Sequence, residues 1–213
     1  MIHRMVVSVL LISLLSLTVA CGDDSSGSQY ERPAATQDII SDAELQRAMD
    51  EGFELYEGTN PPSLSGVYET VSEELGYHDN EVRTGQSICD YRWYFEQSVD
   101  TDFDYSITRE YTSCDGNAQG MGSYISGEGN CFSMYARTEG QFEGCETEAA
   151  NVISGCLEED GIHDFQRLLI ATNERTSEEC QAMLDDDRIT DTGEMGIYVE
   201  TDGLAERVGD IED

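Results

Sequence analysis

Apolar and polar positions change period along the chain, and the changes mark its elements. Residues 41–57 read as a helix. Ser41 and Glu44 form a Ser-x-x-Glu capping box, and Leu45, Ala48, Met49, Gly52, Phe53 and Tyr56 recur on one helical stripe. Gly58 supplies a stop, and Asn60-Pro61-Pro62 prevents continuation. Beyond Leu64 the period drops to two. Short aromatic and β-branched runs alternate with Gly, Asn and Asp clusters, the signature of antiparallel strands. Val67–Val71 is the first. Residues 89–99 alternate Tyr91, Trp93, Phe95 and Val99 against Arg92, Tyr94, Glu96 and Ser98, and a turn near Asp100–Asp102 leads into Tyr105–Tyr111.

Register gives a further constraint. With turns at Gly127–Asn130 and around Thr138–Gly140, Met121, Ile125, Phe132, Met134 and Phe142 share one face, while Tyr124, Ser133, Tyr135 and Glu143 share the other. One apolar and one mostly polar face is what a half-buried meander requires. Residues 149–171 predict a hairpin turning at Glu158–Gly161, although apolar residues on both faces leave a helix through Ile162, Phe165 and Leu169 open. Ser177–Leu184 reads as a short helix and Met195–Glu200 as a last strand. The expected fold is mainly β: an antiparallel meander closed as a small barrel or a two-layer sandwich, with the N-terminal amphipathic helix packed on it.

Charge changes the picture of the surface. Over 213 residues the formal net charge is −34, and all 11 basic residues are arginine. Most carboxylates must therefore be solvated and repel one another, which excludes nucleic acid and anionic lipid headgroups as partners. Their spread along the whole chain points to a salty exterior, where screening shortens to ~3 Å at 1 M salt.

The N-terminus fixes the compartment. His3 and Arg4 precede an apolar run from Met5 to Ala20, too short for a bilayer span and shaped like an export signal. Leu17-Thr18-Val19-Ala20-Cys21 resembles the lipobox of bacterial lipoproteins, with Thr18 where that family prefers Leu. The resemblance implies cleavage before Cys21, acylation of its sulfur and a place in the bacterial cell envelope, on the exported side of the inner membrane or in the outer membrane. The expected organisation is a signal peptide over 1–20 and a polar lipidated tether over 21–38. One disulfide-stapled domain over 39–201 and an acidic tail over 202–213 would follow.

Lipidation of Cys21 leaves six of the seven cysteines, an even number suited to disulfides outside the cytoplasm. The register suggests Cys131–Cys145 across one hairpin. Cys89 and Cys114 are symmetric about Thr101–Asp102, although matching Trp93 and Phe95 to an apolar partner face asks for a bulge there. Cys156–Cys180 follows by exclusion among 15 connectivities. Gly66-Val67-Tyr68, following a helix and opening an up-and-down series, is similar to the Gly-x-Trp opening of the lipocalin group, with Tyr68 in the Trp position. That resemblance implies a central cavity for a small apolar ligand.

Candidate chemistry is sparse. Asp100, Asp102 and Asp104 have the spacing that begins a calcium loop, but Tyr105 and Tyr111 stand where the motif needs Gly and Glu, so solvated turn carboxylates are the expected reading and a weak extracellular calcium site the alternative. The Asp185–Asp187 run with Asp191 and Glu194 reads as an acidic loop, and the spacing provides no zinc motif. His78-Asp79 and His163-Asp164 are neighbours in sequence, and adjacency alone does not orient a base. The expected function is therefore a membrane-anchored, non-catalytic binding or scaffold domain without a cofactor, its partner a small apolar ligand or an envelope protein. A cavity lined by Trp93, Phe95, Phe132 and Met134 would mark ligand binding. A solid core there would mark a scaffold or a purely structural acidic surface protein, and a cleft gathering a histidine with carboxylates would mark a hydrolase. The charge itself predicts lower stability in dilute buffer than in molar salt. Thermal unfolding across a salt series checks this, and a melting temperature independent of salt would contradict it.

Overall fold

The structure, a computed structural model, describes residues 32, 34–71, 73–98 and 104–211, with the side chains of 121 and 122 excepted. The signal-like segment, Cys21, Asp100 and Asp102 lie outside the described residues. Among the described residues no helix is long and apolar enough to cross a membrane.

Two short helices, α1 (Ala34–Gln37) and α2 (Asp42–Asp50), precede the sheet. The capping box of α2 is formed: the Glu44 N–H donates to Ser41 Oγ at 3.3 Å, and the Ser41 N–H donates to Glu44 Oε2 at 2.9 Å. The helix is shorter than its apolar period suggests. Gly52 takes a left-handed φ of +98°, the chain leaves extended, and Phe53 reaches the core of Leu45 and Ala48 from beyond the helix.

The strands are β1 (Thr59–Asn60), β2 (Gly66–Thr70), β3 (Glu73–His78), β4 (Tyr91–Gln97), β5 (Asp104–Tyr111) and β6 (Gly116–Glu128), then β7 (Cys131–Phe142), β8 (Cys145–Leu157), β9 (Gly161–Ala171), β10 (Met195–Glu200) and β11 (Leu204–Gly209). Helix α3 (Glu178–Asp185) lies between β9 and β10. β2, β4, β5, β6, β7, β8, β9 and β11 close an eight-stranded antiparallel barrel, so the sandwich alternative is excluded. β11 completes the ring by pairing with β2 on one side and β9 on the other. β10 and β3 prolong this seam, pairing with each other while β10 also pairs with β9. The acidic segment 202–213 is therefore no simple tail, because it contains the closing strand. Its inward position is filled by Ala205 alone, which leaves almost no apolar alternation to read.

Strand β9 settles the ambiguity of residues 162–171. Ile162 and Phe165 enter the barrel interior, whereas Leu168 and Ile170 face outward, where they join Tyr135, Val152 and Ile197 beneath Ile40, Leu45 and Ala48. Both faces are apolar because both are covered. The turn expected around Thr138–Gly140 is absent, since Thr138 pairs with Gly120 and Ala149 and the chain runs on to Phe142. The turn falls at Glu143 and Gly144, both with positive φ (47° and 86°), as a two-residue hairpin loop prefers. Gly140 serves a different purpose: a Cβ there would lie 2.1 Å from the Asn117 carbonyl oxygen.

That shift of the turn rewrites two disulfides. With β7 twelve residues long, Cys131 and Cys145 sit at opposite ends of a strand of about 40 Å and cannot meet. Cys131 instead stands directly opposite Cys156 and bonds to it, and Cys145 bonds to Cys180 on α3. The Cys89–Cys114 pair forms as expected, just beyond a Trp93–Arg109 register that needs no bulge. Closure of the barrel depends on Gly161, where a Cβ would lie 2.2 Å from the Ala205 carbonyl oxygen across the β9–β11 seam. Gly161→Ala is expected to cost about 1–3 kcal/mol, read as a lower denaturant midpoint; an unchanged midpoint would contradict the tight seam.

Candidate functional site

The two ends of the barrel interior differ. Around Tyr68, Trp93, Phe95, Tyr105, Phe132 and Phe165 the interior is packed with rings. Near the start of β4 and the ends of β5, β7 and β9, a cavity of about 340 Å³ remains. Its wall takes Tyr91, Arg109, Tyr111, Phe142, Arg167 and Tyr198 from the strands. Its mouth is made by residues 79–90, which contribute Arg83, and by residues 172–194, which contribute Arg175, Asp186, Asp187, Arg188 and Thr190. Cys89–Cys114 and Cys145–Cys180 brace the loops of this end.

Five of the 11 basic residues of this very acidic chain converge here: Arg83, Arg109, Arg167, Arg175 and Arg188. Two have partners. Arg167 forms a fully buried ion pair with Glu73 at 2.8 Å and lies 3.9 Å from the centre of the Tyr198 ring. Burial by itself would lower its pKa, but the Glu73 carboxylate together with Tyr91 and Tyr198 outweighs that and holds the guanidinium above its ordinary range. Arg188, at the surface, pairs with Glu143 at 2.5 Å.

The other three differ. Arg83, Arg109 and Arg175 are only 3%, 6% and 6% exposed, and none forms an ion pair among the described residues. The Nε of each lacks a hydrogen-bond acceptor among the described residues, as does that of Arg167. Arg109 donates to the Tyr111 hydroxyl at 3.1 Å and lies 5.0, 5.1 and 5.4 Å from the ring centres of Tyr91, Tyr111 and Trp93. These quadrupole contacts soften the desolvation of a cation without neutralising it. Burial pushes the Arg175 guanidinium below its usual range, against an opposing pull from Tyr198 and the Asp191 carboxylate and with a smaller push from Arg83. The Tyr91 hydroxyl is driven upward, chiefly by burial, so it remains a neutral donor at physiological pH.

His78 lies beside Arg83. The Asn80 N–H donates to its Nδ1 at 2.9 Å, so the neutral ring carries its proton on Nε2 and donates to Thr190 Oγ1 at 3.2 Å; Arg83 Nη1, 3.3 Å from that Nε2, then donates to Thr190 Oγ1 at 3.4 Å. His78 therefore cannot act as a base towards the Thr190 hydroxyl in this arrangement. Burial and the Arg83 charge both lower its pKa, against an opposing pull from Glu194. Asp79 does not orient it; that carboxylate accepts from Arg47, Tyr77 and the Met195 N–H.

The remaining sequence candidates are scattered. His163 sits at the β8–β9 hairpin tip away from the cavity, held by Asp160 at 2.7 Å rather than by its neighbour Asp164. Glu158, Asp160 and His163 are close enough together to share a cation, but all are at the surface. Of the calcium-spaced triplet, only Asp104 is described, exposed at the start of β5. Asp186 and Asp187 from the acidic run lie at the cavity mouth, where Asp187 accepts from Asn80 Nδ2 at 3.0 Å. Trp93, Phe95, Phe132 and Met134 pack in the interior cluster, and none of the four lines the cavity. Tyr68 closes against β11, with the Arg207 guanidinium 5.8 Å from its ring centre.

Sequence reasoning missed the arginines. A signal existed: Arg109 continues the inward alternation Tyr105, Ile107, and Arg167 follows Phe165 in the same way. Comparison with known proteins gives no matching family model, no similar curated protein and no similar solved structure.

The His78 environment predicts a pH effect. A base whose folded pKa lies below its ordinary value of about 6.5 contributes stability above that pH, and the contribution is lost as pH falls towards the folded value. The melting temperature advantage of wild type over His78→Gln should therefore shrink between about pH 7.5 and about pH 5. A gap that stays constant or widens would contradict a buried neutral imidazole.

Proposed function

We propose that this protein is a lipid-anchored, non-catalytic binding protein of the bacterial cell envelope that takes a small molecule into the open end of its barrel. The anchor and compartment rest on the lipobox-like Leu17–Cys21 stretch and on cysteine usage. The binding role rests on one observation: the interior is filled by rings over most of its length but keeps a cavity of about 340 Å³ where the loops are cross-linked. Such a volume is at the small end of the roughly 300–1,000 Å³ typical of ligand sites. A scaffold has no need of a braced opening. The surface offered to the ligand is aromatic and polar, because the apolar side chains that would have lined a greasy calyx are packed below it.

Native mass spectrometry of the full protein released from detergent tests the reading. The expected result is a co-purified small molecule that is lost in Thr147→Trp, a substitution that fills the cavity from its wall. A protein that is always empty, and whose melting temperature is unmoved by a diverse metabolite panel, would overturn it.

A further inference from the structure

We infer that the cavity is built for a small organic anion with a planar conjugated face, its carboxylate or phosphoryl group held by Arg83, Arg109 and Arg175. This deepens the proposed binding role and rests on it. The argument starts from supply. The chain has 45 acidic residues for 11 basic ones, so each arginine has carboxylates to spare. Arg167 and Arg188 have taken one each, Glu73 and Glu143. Arg83, Arg109 and Arg175 are buried at the same cavity without one.

A buried charge without a partner is costly, and a group from outside the protein that completes it removes that cost. Guanidinium groups suit this task, since their planar donors match carboxylate and phosphate oxygens in bidentate fashion. Asp186 and Asp187 oppose the positive charge, but they sit at the mouth, where Asp186 is exposed and Asp187 is held by Asn80. Solvent screens the exposed Asp186 more than it screens the three buried guanidinium groups.

The rest of the wall defines the other half of the ligand. Tyr91, Tyr111, Phe142 and Tyr198 present rings around the arginines, and Tyr91–Tyr111 and Tyr111–Phe142 are in mutual contact at 4.8 and 5.1 Å between centroids. Flat π faces of this kind favour an aromatic or conjugated body through offset or edge contacts.

Trp93, the only tryptophan, lies 5.4 Å from the Arg109 guanidinium and reports occupancy by its fluorescence. The experiment titrates the full detergent-solubilised protein with phthalate, phenyl phosphate, inorganic phosphate and the uncharged dimethyl phthalate. Saturable binding of an aromatic anion, with dimethyl phthalate at least about tenfold weaker, is expected. Phthalate against phenyl phosphate tells which anionic group the site prefers, and inorganic phosphate binding as tightly as phenyl phosphate would overturn the planar face.

Arg109→Met and Arg175→Met should each weaken the aromatic anion about tenfold or more, while Arg92→Met, on the outer wall beside Glu69, should not. The ligand-free melting temperature of the two cavity variants should hold or rise, since each removes an unpaired buried charge. If instead both variants melt lower and bind unchanged, the arginines are ring staples and the inference fails. Equal binding of dimethyl phthalate would leave the cavity as a ligand site and remove only its preference for anions. Failure of all four probes, with a neutral molecule co-purifying, would do the same. Failure of all four with an empty protein would remove both readings.

Discussion

Everything in this protein depends on a seam: β11 binds β2 with one edge and β9 with the other, turning an antiparallel meander into a ring. A closed ring has no free edge and acquires an inside. The inside must then be filled, and the sequence fills it unevenly. Rings and branched side chains occupy most of the barrel, leaving one end to arginines and tyrosines. The seam itself is made by small residues, Gly161 against Ala205, because two backbones approach there too closely for anything larger.

The second organising fact is the separation of charge. The exterior carries a large excess of carboxylates, while nearly half of the arginines turn towards one cavity. In water the outer charges are screened over short distances, whereas those in the wall act through a medium that screens them poorly. The outside thus repels and solubilises as the inside attracts. Composition, which counts the two together, conceals this inversion.

Much of the fold was legible. The capping box at Ser41–Glu44, the strand alternation of residues 91–97 and 105–111, and the short helix near Ser177–Leu184 follow directly from residue spacing. What misled was glycine and arginine. Gly140 was read as a turn but marks a close approach between strands, and that one displacement carried two disulfide assignments with it. Arg109 opposite Trp93 looked like a broken register, because a charged residue on an inward face contradicts simple alternation. The site consists of such exceptions. It was illegible because a rule that sorts polar residues outward hides those a cavity requires.

The position of the covalent links sets the order of events in the life of the molecule. Cys89–Cys114 and Cys145–Cys180 both lie at the rim of the cavity, while only Cys131–Cys156 staples the wall far from it. In a reducing cytoplasm the strands can pair, yet the gateway loops are held by weak forces alone. If the chain is exported as proposed, oxidation there would fasten them, and a ligand of the proposed kind would be collected only after export.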